Sequence, residues 1–570
     1  MIKGLINWFR QKTKFILPEH NLVEVQATAK TATNKNKTYL IDSSAPSLVI
    51  DTLIPTTTLL PMRSSGESGG GYALGTQQQQ AMGLKQMVND ALVFMASKSP
   101  KKLTKWAATS SLTLQARAGT DLNAYYDRSS LKFFYFSDKL RKKTVFACDS
   151  RAVVTHEFGH ALLDMLRPDL WSVMSEEVWA FHESFGDMIA ILNNLQYEAL
   201  IDASLKEVSN DLTKSNMMTR LAADMGIGLY NMTNGKNGEL RNCLRDCTQK
   251  FTYVPPKTLP KDGRDDQIVN ESHSFSRIFT GMFYNLLIQV ANVYISEKQN
   301  PKAALMKARD TMSSYILQAS SRAPVTPKFF KAVCQELLVA DKSAGGKFQT
   351  IMYNTFVSWK IFEPAIKILS KFTYNDVIKT VDSDFEYSDL GSVKVLYTTK
   401  MKTIKLSDFH GVLAMQNNPL LSAEVEVAAQ SAYYFDENME LQISEEATEE
   451  EIIETTMNCI SLIQHRNLFG ENDKSQFHMI DGKLVRNKIA SCGCNKPNYC
   501  IPGAPEYQKP WKPKNNAGCI KCQKSDCSPK SCDCDQPTTT EPPKTGCYAS
   551  VKTCSTNGYK VGSRISRKVC

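Results

Sequence analysis

The 570-residue chain contains no uninterrupted apolar run of about 18 residues, so no transmembrane helix is expected. Its first ten residues, Met1 to Arg10, are basic and weakly amphipathic. They lack an apolar core segment and a small-residue cleavage site, so a Sec-type signal is not read here. No internal repeat is present. With 42% apolar and 22% charged residues, the composition excludes a collagen-like, coiled-coil or wholly disordered chain. Cysteine is scarce over most of the length: Cys148, Cys243, Cys247, Cys334 and Cys459 stand alone before eleven crowd into Cys492–Cys570. An excess of one charge sign is also missing from the first 480 residues, and the whole net charge of +10 falls on residues 481–570. Specific nucleic-acid binding is therefore not expected, and any polyanionic surface would be met by the tail.

What is present reads as four regions: a polar N-terminal segment and linker (1–75), a first folded unit (76–362), a small α+β domain (365–490) and a basic cysteine-rich tail (491–570). A short helix over Ile2–Phe9 is expected, then a Ser/Thr/Pro and Gly-rich linker across 43–75. Helical periodicity starts near Thr76 and recurs over 151–166, 175–194, 272–296, 301–320 and 327–340. Strand-like stretches fall at Leu112–Ala116 and Phe133–Phe136. Beyond 365, alternation predicts strands at Val393–Tyr397, Thr403–Leu406, Ala423–Ala429 and Met439–Ile443. A capping box opens a helix at Thr448, and a hairpin turns at Asp481 and Gly482.

Histidine is rare, with eight in the chain, yet two stand in His156, Glu157, Phe158, Gly159, His160. On a helix His156 and His160 share a face one turn apart, so both imidazoles can reach one ion. Glu157 then lies beside the ion's open position as a general base. Twenty-three residues on, Glu183 and Asp187 share a helical face. A carboxylate ligand with a second acid one turn later suits such a site, because the second acid can hold a ligand imidazole by its other nitrogen. His182 competes as third ligand but points roughly 100° away from Glu183, so one of the two faces the ion. His273 opens a long apolar helix, where a histidine can equally be a cap.

Taken in order, these segments resemble the thermolysin-like gluzincins over roughly residues 75–360. Asp121–Asp127 followed by Phe133–Phe136 is similar to their substrate-supporting edge strand, and Glu239–Asn242 to their substrate-binding arginine stretch. The resemblance implies an α+β zincin catalytic domain with a mixed-sheet N-terminal lobe and a helical C-terminal lobe. It implies Zn2+ on His156, His160 and Glu183, with Glu157 and His273 catalytic and Asp187 orienting His156. It further implies that Asn123, Ala124 and Arg241 hold the substrate backbone, and that Val153 and Leu240 line a pocket favouring a bulky apolar residue after the scissile bond.

Three departures stand out. Met174 occupies the position of the family's oxyanion tyrosine. Ala152 and Asn194 stand where carboxylates of its paired calcium site are expected, so little or no calcium dependence is expected from that site. The family's large inhibitory prodomain has no room in about 75 preceding residues, so the chain is expected to be made without one or to be restrained in another way.

The expected function is a zinc metalloendopeptidase acting on proteins or peptides. The alternatives are a catalytically weak or inactive zincin serving as a binding module, and an exopeptidase. The tail's cysteine spacings fit disulfides, structural metal or disorder. A disulfide tail without a classical signal leads to an expectation of an extracellular or delivered protein, with a cytoplasmic location as the alternative.

Overall fold

A computed structural model of the chain describes residues 75–363, 373–380, 385–409, 419–472 and 475–490, plus three short strands before them. The chain divides into units 1–504 and 505–570, and every described residue belongs to the first. The expected helix over Ile2–Phe9 and the cysteine-rich tail lie outside the described residues. The architecture is mixed α+β.

Strands β1 (Lys37–Thr38) and β2 (Val49–Ile50) pair with each other. Strands β3 (Met62–Ser64), β4 (Leu112–Gln115), β5 (Ala124–Tyr126) and β6 (Ser130–Phe133) build most of a five-stranded sheet in the order β5-β6-β4-β3. The linker read across 43–75 thus contains a strand at Met62–Ser64, and Met62 is buried in the main core. The stretch Phe133–Phe136, expected as one strand, is divided: β6 ends at Phe133, and β7 (Tyr135–Asp138) begins a hairpin with β8 (Lys143–Phe146).

Helix α1 (Gln77–Lys98) is capped by the Thr76 hydroxyl and packs on this sheet and on α2 (Arg151–Leu166). Ser150 caps α2, which stops ahead of Pro168. Next come α3 (Glu176–Asn194), α4 (Glu198–Glu207), β9 (Arg220–Leu221), α5 (Ala223–Thr233) and β10 (Arg245–Asp246). Helices α6 (Ser272–Ser296), α7 (Pro301–Arg322), α8 (Phe329–Ser343) and α9 (Gln349–Ser358) complete a helical layer. Phe181, Phe275, Phe279, Phe329 and Phe330 interlock between its helices. Helix α6 is, among the described residues, the one long and apolar enough to cross a membrane. Of that window 72% is buried inside the fold, as in a core helix.

The remaining elements are α10 (Tyr374–Thr380), β11 (Phe385–Asp389), β12 (Lys394–Lys405), β13 (Glu424–Phe435), β14 (Leu441–Glu445), α11 (Glu449–His465), β15 (Phe477–Ile480) and β16 (Lys483–Arg486). The strands expected at 393–397 and 403–406 are one, because β12 pairs with β13 without interruption over twelve residues. The capping box at Thr448 and Glu451 is formed. Asp481 and Gly482 turn the last hairpin with positive φ angles of 48° and 76°, as a two-residue turn of the primed kind needs.

This second sheet, ordered β11-β12-β13-β16-β15, shares a core with the helical layer. Met174 and Trp179 bury against Val425, Ile460 and Phe477. The chain then returns: β17 (Ile489–Ala490) pairs antiparallel with β5 and completes the first sheet.

Candidate metal centre

Helices α2 and α3 approach closely at two glycines. A Cβ at Gly159 would stand 2.7 Å from Gly186 Cα, and one at Gly186 would stand 2.7 Å from His156 Nδ1. A side chain at either position would force the helices apart. The approach sets His156 Nε2 3.4 Å from Glu183 Oε2, and His160 Nε2 3.8 Å from Glu183 Oε1. Three donors about 2.0–2.1 Å from one ion stand roughly 3.3–3.5 Å apart in a tetrahedral set, so these separations suit a shared ion. The ligand-type atoms of His156, Glu157 and His160 also lie within 4.8 Å of one another, and all three residues are buried.

His156 Nε2, both His160 nitrogens and both Glu183 oxygens are buried without a hydrogen-bond partner among the described residues. Each such group costs on the order of 1–3 kcal/mol when left unsatisfied. A metal ion would compensate His156 Nε2, one His160 nitrogen and the Glu183 carboxylate at once, so this cluster could hold one.

The other face of His156 is anchored. Its Nδ1 lies 2.9 Å from Asp187 Oδ1. Burial would raise the Asp187 carboxyl, but the Arg245 charge and the His156 contact hold it down to about 2. Burial would likewise lower His156, yet its contacts with Asp187 and Glu183 raise it to about 9. Arg245 donates to Asp187 Oδ1 from Nη2 at 2.7 Å and from Nε at 3.2 Å.

His182 turns the other way. Its ring centroid lies 6.0 Å from that of His160 and 6.4 Å from Trp171. Burial, together with the charges of Arg486 and Arg128, keeps it well below the usual imidazole value.

His273 stands in the first turn of α6, where Glu271 caps the helix. Its Nδ1 is 2.5 Å from Glu271 Oε1 and its Nε2 is 3.4 Å from Glu183 Oε2. That histidine therefore reaches the centre and is not a helix cap. Asn123 and Ala124 sit at the start of β5, and Asn123 Oδ1 accepts the Ala124 amide at 2.9 Å.

Arg241 and Leu240, to which the resemblance gives substrate roles, differ in setting from the second arginine four residues on. Arg241 is exposed and Leu240 half-buried, while Leu244 and Arg245 line a small pocket with Val153, Ala152, Leu221 and Met225. The reason is a close packing that sets the register. A Cβ at Gly226 would fall 1.9 Å from the Cys243 carbonyl carbon, so α5 presses directly on this backbone and turns the next two side chains towards α2 and α3. Cys243 and Cys247 flank β10, and both are buried.

Met174 is buried in the second core, away from the centre. Trp171 donates its indole N–H to the Arg486 carbonyl at 3.0 Å. Arg486 itself went unnoticed in the sequence. Its guanidinium lies 5.7 Å from the Trp171 and Trp179 rings, and burial lowers it to about 10. Two of its aromatic partners lie some three hundred residues earlier, and the third, Phe477, meets it across the last hairpin. Arg245 could have been found as the second arginine of a short Arg/Cys-rich stretch.

No protein-family model matches the chain, and no curated protein matches it.

Proposed function

We propose that the chain is a zinc-dependent endopeptidase on a thermolysin-like zincin fold. The observation that carries this reading is the convergence of His156 Nε2, His160 and the Glu183 carboxylate, buried and without hydrogen-bond partners among the described residues, with the Glu157 carboxylate beside them. Two imidazoles and one carboxylate are a donor set of catalytic zinc sites. Zinc bound there supplies Lewis acidity and makes water a nucleophile near neutral pH.

The chain's own residues do the rest. Asp187 holds His156 by Nδ1 and so turns Nε2 towards the ion. Arg245 keeps Asp187 ionised in a buried place. Glu157 takes the proton from the attacking water and passes it to the departing amine. The His273 ring, fixed by Glu271 at Nδ1, donates from Nε2 to the carbonyl oxygen as negative charge develops. Val153, Leu221, Met225 and Leu244 receive an apolar side chain from the residue after the scissile bond.

The test compares wild type with Glu157→Gln on end-blocked, quenched peptides, with zinc content measured by elemental analysis. Cleavage by wild type alone, with zinc retained in both, supports the reading. Zinc in both and cleavage by neither favours a binding module or a latent enzyme. Cleavage restricted to peptides with free ends makes the chain an exopeptidase.

A further inference from the structure

Strand β17 occupies a particular place. Ile489 pairs with Tyr126 and Ala490 with Tyr125, antiparallel, so the chain's own backbone covers the side of β5 that would otherwise be the sheet edge. The Ala490 carbonyl bonds to His273 Nε2, the nitrogen that also faces Glu183. A single imidazole thus separates this carbonyl from the metal cluster.

The segment is fastened along its length. The Asn487 amide donates to Gln476 at 2.7 Å, and the Arg486 carbonyl takes the Trp171 N–H. Lys488 lies 4.6 Å over the Tyr125 ring, and Ile489 is buried in the main core. An extended backbone added to a sheet edge, with side chains alternating into the protein, is how peptides bind by strand addition.

Resting on the peptidase reading above, we infer that residues 487–490 are a tethered peptide inhibitor that fills the substrate groove in cis. Being on the same chain, it acts at a high effective concentration, and external peptides compete poorly. Activation requires lifting β17 from β5.

The experiment uses the full chain in a Glu157→Gln background, so that no peptide is consumed. A fluorescein-labelled peptide of residues 484–490 is titrated by anisotropy against this parent and against the same chain carrying Ile489→Asp. The expected result is at least tenfold tighter binding to the displaced variant. Ala490→Pro, which removes a backbone donor and leaves Ile489 in place, serves as a second displacement should Ile489→Asp fail to fold by thermal melting. Equal binding to parent and displaced chains, or binding to neither, overturns the inference. With Glu157 intact, the displaced chain should also cleave a blocked peptide at least tenfold faster than wild type. If the binding difference holds while no version cleaves, the peptidase reading fails and the tethered occupant stands.

Discussion

Gly186 lies directly beneath the His156 imidazole, so close that a methyl group there would meet Nδ1 at 2.7 Å. The α3 helix is therefore also the floor on which the His156 ring rests. The same glycine faces the backbone crossing at Gly159, and the two positions together set how near α2 and α3 can come.

Gly186→Ala should strip the centre of metal. In an exposed helix this change would stabilise by up to about 1 kcal/mol. Here the methyl must move His156 or separate the helices, at a cost of about 1–3 kcal/mol. Elemental analysis for zinc and a thermal melt check both effects. A variant that keeps zinc and gains stability would show that the helices yield freely.

Asp187→Asn and Glu157→Gln should separate holding from catalysis. Losing the Asp187 charge behind His156 weakens metal affinity by roughly 10–100-fold. Losing the general base leaves zinc bound and lowers turnover by roughly 10²–10⁴-fold. Competition with a chelator measures the first effect, and steady-state kinetics on the Ile489→Asp chain measures the second.

Arg245→Ala and Arg241→Ala should differ sharply although they stand four residues apart. Arg245 is buried against Asp187, and removing one partner of such a pair costs roughly 3–5 kcal/mol. Arg241 is exposed, and its removal should stay within about 0.5 kcal/mol. Denaturant melts decide between them.

The contrast shows what the sequence made legible. Regular repeats were readable: the pairing of His156 with His160, and of Glu183 with Asp187, follows from helical spacing alone. The helices at 151–166 and 272–296 have the bounds that periodicity indicates. Contacts set by tertiary register were not. Arg245 lies buried against Asp187 while Arg241 is exposed, and the packing of Gly226 on the backbone at Cys243 has no local pattern. The two-residue strand at Ile489 is too short to alternate and exists through its partner β5. Arg486 is legible only once Trp171 and Trp179 are seen around it.

Glu176→Gln should flatten the pH dependence of stability. Burial raises the Glu176 carboxyl from 4.5 to about 8, against its hydrogen bond to Cys459 and with the help of Glu177. The folded state therefore binds this proton more tightly than the unfolded chain. The group's favourable contribution is complete below about pH 4.5 and is lost as pH rises towards 8, on the order of 1 kcal/mol per pH unit. Wild type should lose melting temperature between pH 5 and pH 8, and the glutamine variant should lose less. Parallel pH profiles would expose a wrong assignment.

The pairing of Ala490 with Tyr125 joins residues far apart in the chain. A ribosome delivers β5 hundreds of residues before its last neighbour, and loop closure over such a span is slow. While the chain is being made, the β5 edge can accept any extended strand nearby, including one from another nascent copy. The order of synthesis thus opens a time window in which the newborn protein is both unfinished and unguarded, and that window shuts when β17 docks.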